Sequence, residues 1–275
     1  MDYFRQWSKV KRIGNYNITG ESTAGMRTSF YVNELKILLD AGHQCYNKVQ
    51  DIFITHTHAD HIASLPLIIL ENVSEKVVTR IYCPKESEVI LSRMIDSFLV
   101  CNYNSTFIPK NYYIVIGVEV GTKFRLELNN NLVVVEVFKS EHRVPTVSYG
   151  FSEIKRKLKD EYNGLSSQEI VKLKKDKVEI TREVEFKKFV FCGDTTDRIF
   201  NNEDILSYPE IIIECTYFEK NDLVMANKKK HMHWLNLKRI VESNPDVKFN
   251  LIHISAKHRD FDFSKVFETS NVIIF

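Results

Sequence analysis

The sequence has 275 residues, 44% of them hydrophobic and 12% aromatic, which is enough apolar material for a sizeable core in one large α/β domain or two small ones. Its 38 Lys and Arg against 36 Asp and Glu leave it close to neutral, which argues against the broad basic surface of a dedicated binder of long nucleic acid but leaves room for a local basic rim. Five scattered cysteines (Cys45, Cys83, Cys101, Cys192, Cys215) read as small core hydrophobes in a reducing compartment, and neither a leader in MDYFRQWSKVKR nor a window near the ~18 apolar residues of a membrane span is visible, so a cytoplasmic protein is expected.

In chain order, residues 13 to 40 read as two strands around a Gly-bearing loop, Gly20 to Gly25, the second strand running from Phe30 to Asp40. Ser22 is a candidate lining residue there, and His43 reads as ordinary loop polarity. Ile52-Phe53-Ile54 is a buried strand, and Ile62 to Leu70 continues as a helix that tolerates Pro66 in its first turns. Val77 to Cys83 is a strand, and Pro84 opens a helix whose Ile90, Leu91, Met94, Ile95, Phe98 and Leu99 form a core-facing stripe. Residues 112 to 138 give a run of strands with Gly117, Gly121 and Asn129-Asn130-Asn131 as turn markers. The charged stretch 153 to 188 reads as a solvated, partly helical surface segment, with helical patches at Lys155 to Tyr162 and Ser166 to Lys175. Phe189 to Cys192 and Ile211 to Ile213 are short buried strands, His231 begins a helix running to Glu242, and Val247 to Ile254 is the last strand.

Chemistry concentrates where these strands end. Thr55-His56-Thr57-His58-Ala59-Asp60-His61 packs four potential ligands into six residues at a strand terminus. Three imidazoles and a carboxylate so crowded repel one another when charged and need many hydrogen-bond partners when neutral; a borderline-soft divalent cation removes both costs. Further strands end at His142, at Gly193-Asp194, at Glu214 and at His253. A carboxylate at the end of a buried strand is costly unless paired or metal-bound. Acidic and His residues ending five apolar strands look like ligands converging on one edge of a layered structure. His56, His58, Asp60, His61, His142, Asp194 and His253 are too many for one catalytic zinc, which takes three protein ligands and a water.

His-x-His-x-Asp-His resembles the signature of the metallo-β-lactamase fold hydrolases, and "LLDAG" before it and "KLKDEYNGLSSQEI" after it are similar to the branch of tRNase Z, the RNA 3′-end processing nuclease. From about Ile13 onward the resemblance implies an α/β fold, the αββα sandwich of two packed β-sheets with helices outside. It also implies a single domain over 1–275, and a homodimer. It further implies two Zn2+ per chain, Mn2+ or another divalent ion being an alternative. One would be held by His56, His58 and His142, the other by Asp60, His61 and His253, with Asp194 and a hydroxide between them. Asp60, Glu214 and His231 would be the catalytic residues, Glu214 orienting His231 as general acid. His233 and His258 are left as structural or peripheral. Lys257 stands where the family pattern His-x-Ser-x-Arg has Arg, which puts a bidentate anion contact there in doubt.

Asp60 in the second ligand group disfavours a true β-lactamase, for which a Cys is expected, and the Glu214 and His231 pair disfavours thiolester hydrolases of the glyoxalase type. Two substrates remain. The first reading is a phosphodiesterase opening 3′,5′-cyclic mononucleotides to nucleoside monophosphates, as in phage-type anti-Pycsar enzymes, acting in a host's cytoplasm if phage-encoded. The alternative is an endonuclease removing tRNA 3′ trailers. Near-neutral charge favours the small substrate. So does the lack of a Gly/Pro-rich tRNA-gripping arm, since no Pro occurs between Pro145 and Pro209.

Overall fold

The computed structural model describes residues 9–44, 48–74, 77–105, 112–265 and 271–275. The N-terminal residues 1–8 and Cys45 lie outside that range. The first half of the chain builds a seven-stranded sheet in sequence order: β1 (Lys9–Ile13), β2 (Tyr16–Thr23), β3 (Arg27–Val32), β4 (Ile37–Leu39), β5 (Asp51–Phe53), β6 (Thr79–Pro84) and β7 (Tyr113–Val118). The second half builds another of seven: β8 (Lys123–Leu128), β9 (Asn131–Lys139), β10 (Val147–Leu158), β11 (Thr181–Cys192), β12 (Glu210–Glu214), β13 (Lys248–Ile252) and β14 (Val272–Ile274). Each sheet starts as an antiparallel meander and turns parallel, at β4–β5 in the first and β11–β12 in the second.

Parallel neighbours need crossover connections, and these carry the helices. In the first half they are α1 (Ala59–Ile62), α2 (Leu65–Ser74) and α3 (Glu88–Tyr103); in the second, after the hairpin helix α4 (Ser167–Lys175), they are α5 (Leu223–Lys229) and α6 (Trp234–Ser243). Period-two alternation then divides the core into three layers. Phe53, Phe30, Val135, Tyr149, Phe189 and Ile212 meet between the sheets. Ile52, Ile54 and Leu38 face the other way, against Ile68 of α2 and Leu91, Ile95 and Leu99 of α3. Ile211 and Ile213 do the same against Trp234, Leu237 and Val241 of α6. The result is the expected αββα sandwich, and no helix of the described residues is long and apolar enough to cross a membrane.

Several elements differ from the sequence reading. The strand expected from Phe30 to Asp40 is two, because the chain reverses at 33–36, where Lys36 takes a left-handed φ of 55°. Gly20 lies within β2, paired with Phe30, rather than in a turn, and a Cβ there would sit 2.1 Å from the Ser29 carbonyl oxygen. Gly117 likewise lies inside β7. On α3, Leu91, Ile95 and Leu99 are buried, whereas Ile90 and Phe98 are exposed on an adjoining face. Cys83, Cys192 and Cys215 are buried thiols as expected, but Cys101 is exposed. The expected helix at Lys155 to Tyr162 is strand as far as Leu158. Cross-strand pairing with Thr181 to Glu185 overrides the helix-like spacing of Ile154 and Leu158.

Candidate metal centre

The carboxyl ends of parallel strands leave a crevice into which the following loops turn, and ligands of α/β sheets bind there. Here the two sheets present those ends together. His56, His58, Asp60 and His61 follow β5; His142 follows β9; Asp194 follows β11; Glu214 ends β12; His253 follows β13 with φ 58°. Gly193 permits the approach, for a Cβ on it would meet Thr55 Oγ1 at 2.4 Å. Across the same seam Val147 N–H donates to the Thr55 carbonyl (3.0 Å) and the Tyr149 hydroxyl to the Ile54 carbonyl (2.9 Å).

All seven expected ligands come together, in two groups. Ligand atoms of His56, His58, His142 and Asp194 lie within 4.8 Å of one another, as do those of Asp60, His61 and His253. Asp194 spans both. Its Oδ2 is 3.7 Å from His56 Nε2 and 3.7 Å from His142 Nε2. Its Oδ1 is 3.4 Å from His61 Nε2 and 3.3 Å from His253 Nε2. Asp60 Oδ2 lies 3.2 Å from His253 Nε2.

Proton counting shows whether a cation fits. His142 Nδ1 is 2.9 Å from the Lys230 carbonyl, which only accepts, so Nδ1 carries the proton. His61 Nδ1 donates to Asp40 Oδ2 at 2.8 Å. The Thr55 hydroxyl donates to Asp40 (2.9 Å) and therefore accepts from His56 Nδ1 (3.1 Å). The Thr216 hydroxyl donates to Glu214 Oε2 (2.5 Å) and accepts from His253 Nδ1 (3.1 Å). Four imidazoles thus turn Nε2 lone pairs inward, with His61 and His253 Nε2 only 3.4 Å apart. His58 Nδ1 adds a fifth nitrogen, 3.1 Å from His56 Nε2 and 3.2 Å from His142 Nε2. Asp194 Oδ1 is buried and has no hydrogen-bond partner among the described residues. Acceptors facing acceptors in a buried space are what divalent cations satisfy, and this donor set fits them.

The electrostatics agree. Burial, with the neighbouring imidazoles, holds His56 well below its ordinary pKa, and burial lowers His58 and His142 too. Burial opposes charge on His61, but Asp194 and Asp40 outweigh it and raise the pKa well above 6.5; without an ion this favours a proton on Nε2, the place a cation would take. Burial also opposes ionisation of Asp60 and Asp194, yet the surrounding imidazoles bring Asp60 to about 2 and Asp194 well below its usual range.

Beside the cluster His231 Nδ1 is 3.0 Å from Glu214 Oε1 and 3.7 Å from Asp194 Oδ2. Burial disfavours its charge, but Glu214 more than compensates and lifts the pKa to about 9, so the ring is cationic at neutral pH. His231 precedes α6 rather than beginning it. His233 is the N-cap of α6: Nδ1 accepts from Leu235 N–H (3.1 Å) and Nε2 donates to the Glu219 carbonyl (2.9 Å). His258 is buried and accepts from Phe218 N–H at 3.4 Å. Lys257 is already engaged by Asp222 and lies over the Tyr217 ring, 5.5 Å from its centroid.

Ser22 turns its hydroxyl to Thr28 (2.8 Å); it is Gly25 of the same hairpin that reaches the cluster, donating its N–H to Asp60 Oδ2 at 2.8 Å. His43 sits 3.7 Å from Glu21, on the surface side. Sequence reasoning passed over Asp40, Thr55 and Thr216, which fix the ring orientations. Asp40 ends a buried strand, so the argument that singled out Asp194 and Glu214 applies to it equally. The two threonines left no such signal.

No family model matches the chain. It is similar to the protein named tRNase Z TRZ1 of Arabidopsis thaliana, 29% identical over 91% of this chain and 89% of that protein. It is also similar to a protein of Triticum aestivum named nuclear ribonuclease Z, 31% identical over 62% of this chain and 95% of that one. Among solved structures, the short form of human tRNase Z superposes over 93% of this chain and 94% of its own, with a TM-score of 0.55 and 14% identity, a likeness of fold.

Proposed function

The chain belongs to the ribonuclease Z family of metal-dependent phosphodiester hydrolases on the metallo-β-lactamase fold, and from that premise we propose that it is an endonuclease removing the 3′ trailer from tRNA precursors. The observation that carries the choice of tRNA is the nearly end-to-end similarity to a protein named tRNase Z. One of the two features favouring a cyclic mononucleotide also weakens. Residues 153–188 form a strand hairpin around the expected helix at Ser166 to Lys175: β9 pairs with β10 only as far as Glu153 and β12 with β11 only at Phe189 to Phe191. Between those points Ile154 to Leu158 and Thr181 to Glu185 pair with each other, in a two-stranded ribbon tipped by α4. Eleven Lys and Arg and eight Asp and Glu lie between 153 and 188, so the ribbon is more basic than the chain around it. The cyclic-nucleotide reading keeps the near balance of total charge in its favour.

In this proposal His56, His58 and His142 would hold one divalent ion and Asp60, His61 and His253 another, with Asp194 within reach of both groups. The ions, zinc in the first instance, would lower the pKa of bound water toward ~7 and neutralise charge developing on the phosphate. The protein's own groups do the rest. Asp40, Thr55 and Thr216 lock the ring tautomers, Gly25 fixes the Asp60 carboxylate, and Glu214 keeps His231 protonated and aimed at the crevice. His231 then delivers a proton to the departing oxygen. We further propose a homodimer, supported by the exposed Ile90 and Phe98 along one side of α3.

A side-by-side assay tests the substrate: a tRNA with a 3′ trailer against 3′,5′-cyclic CMP, UMP, AMP and GMP. Trailer removal with intact cyclic nucleotides is expected. Rapid opening of a cyclic nucleotide beside an uncut tRNA would reverse the order of the two readings. Light scattering tests the dimer, a monomeric mass being the adverse result.

A further inference from the structure

Next to the metal cluster the surface opens into a cavity of about 370 Å3, lined by Lys139, Glu141, Arg198, Ile199, Asn201 and Asn202. Two chain segments place it there. Glu141 is the residue before His142, and the wall from Arg198 to Asn202 begins four residues after Asp194. The segments are tied together by Glu141 N–H donating to Thr195 Oγ1 (3.2 Å) and Thr196 Oγ1 donating to the Glu141 carboxylate (2.8 Å). Neighbouring Cα atoms are about 3.8 Å apart, so the Glu141 wall of the cavity and the His142 ligand are adjacent positions of one loop.

We propose that this cavity is a subsite for one unpaired nucleotide flanking the scissile phosphate, and that it holds the base. This rests on the endonuclease reading above. The volume is near the lower end of small-molecule pockets, ~300–1,000 Å3, which suits one nucleotide and not a duplex. The lining chemistry selects the base over the phosphate. A phosphate pocket gathers cations and N–H groups; a carboxylate in its wall would repel the ligand. Here Glu141 stands among Lys139, Arg198 and two carboxamides. That mixture matches the edge of a base, which offers donors and acceptors together: a carboxylate accepts from an exocyclic amino group, while guanidinium and carboxamide reach ring nitrogens and carbonyls. Glu141 is also preset. Arg198 Nη1 at 3.2 Å and Lys230 Nζ at 3.5 Å balance its charge in the free protein. Ile199, buried, adds an apolar part to the lining.

Arg198 and Asn201 are exposed, so replacing them does not open the core. The zinc-loaded full chain is titrated calorimetrically with 5′-AMP, 5′-CMP, 5′-GMP and 5′-UMP and with inorganic phosphate, which reports the metal cluster alone. At least one nucleotide binds about tenfold or more tightly than phosphate, as one hydrogen bond to a charged group would give. In Arg198→Ala and in Asn201→Ala that advantage shrinks to about twofold. No advantage in the unaltered protein, or an equal advantage in both variants, as a mere surface ion pair at Glu141 and Arg198 would give, overturns the subsite. Trailer removal by the unaltered protein is scored separately. Its failure overturns the endonuclease reading whatever the titrations give, and the titrations decide the subsite either way.

Discussion

Asp194 offers one carboxylate oxygen to each half of the cluster, so its loss should differ in kind from that of any single imidazole. Asp194→Ala is expected to bring metal content down from about two per chain and abolish turnover, while His142→Ala gives up chiefly one ion. Elemental analysis of the purified variants decides, and two ions retained in an active Asp194→Ala would sink the shared-carboxylate assignment. The proton-delivery role separates by a different signature. His231→Ala should keep its metals yet lose ~10²–10⁴ in rate on a tRNA precursor, and much less on a nitrophenyl diester whose leaving group needs no proton. His233→Ala should instead lose the cap of α6, costing roughly 0.5–2 kcal/mol of stability. The reverse pattern in the two variants would exchange their roles. Asp40, which holds the Nδ1 of His61 from outside the cluster, tests the supporting shell: Asp40→Asn should weaken metal affinity by about 10–100-fold in a chelator competition. Unchanged affinity would make that carboxylate a folding residue only.

Strand ends carry the site, and they were legible because burial makes a terminal carboxylate or imidazole conspicuous: Asp194 after Phe189 to Cys192 and Glu214 after Ile211 to Ile213 can be found by eye. The partners of those groups were not legible, since Thr55 and Thr216 are unremarkable beside His56 and Glu214 until the rings are oriented. Element type failed where long-range pairing decided it. Ile154 and Leu158 are spaced four apart, as on a helix, yet in register they face Glu185 and Thr181 of β11, more than twenty positions along the chain. That ribbon now supports a prediction. Ile154 and Glu185 are directly opposite in register, so an Asn-Gly turn joining them removes the ribbon and α4 without touching β9 or β12. The shortened protein should keep its metals and bind a tRNA precursor more weakly. Its log affinity should also fall less steeply with log salt, by ~0.7–0.9 in slope for each phosphate the ribbon would have neutralised. An identical salt slope in the shortened protein would show that the ribbon does not touch the RNA.

For the whole molecule, the cluster joins the two sheets. His56, His58, Asp60 and His61 are carried by the loop after β5 of the first sheet, and His142, Asp194 and His253 by loops of the second. Bound ions would therefore act as a clamp across the sandwich as well as a reaction centre. Without them, five inward-facing imidazoles and two carboxylates are crowded at the edge of the core, and the hydrogen bonds of Thr55 with Val147 and Ile54 with Tyr149 hold the seam. An ion that binds the folded chain and not the unfolded one contributes about 4 kcal/mol at a free concentration a thousand times its Kd. For a domain of this size, at roughly 2–4 °C per kcal/mol, each tightly held ion corresponds to a shift in Tm on the order of 10 °C. Calorimetric melting should show the chelated protein unfolding well below the zinc-loaded one, with recovery on adding zinc but not magnesium, whose preference for six oxygen ligands the imidazole-rich set does not meet. Since each ion draws ligands from both sheets, His61→Ala and His142→Ala, one from each sheet, should each lose part of the zinc-dependent gain. A Tm unmoved by chelation would mean that the two sheets are held by their apolar faces alone and that the cluster is not a clamp.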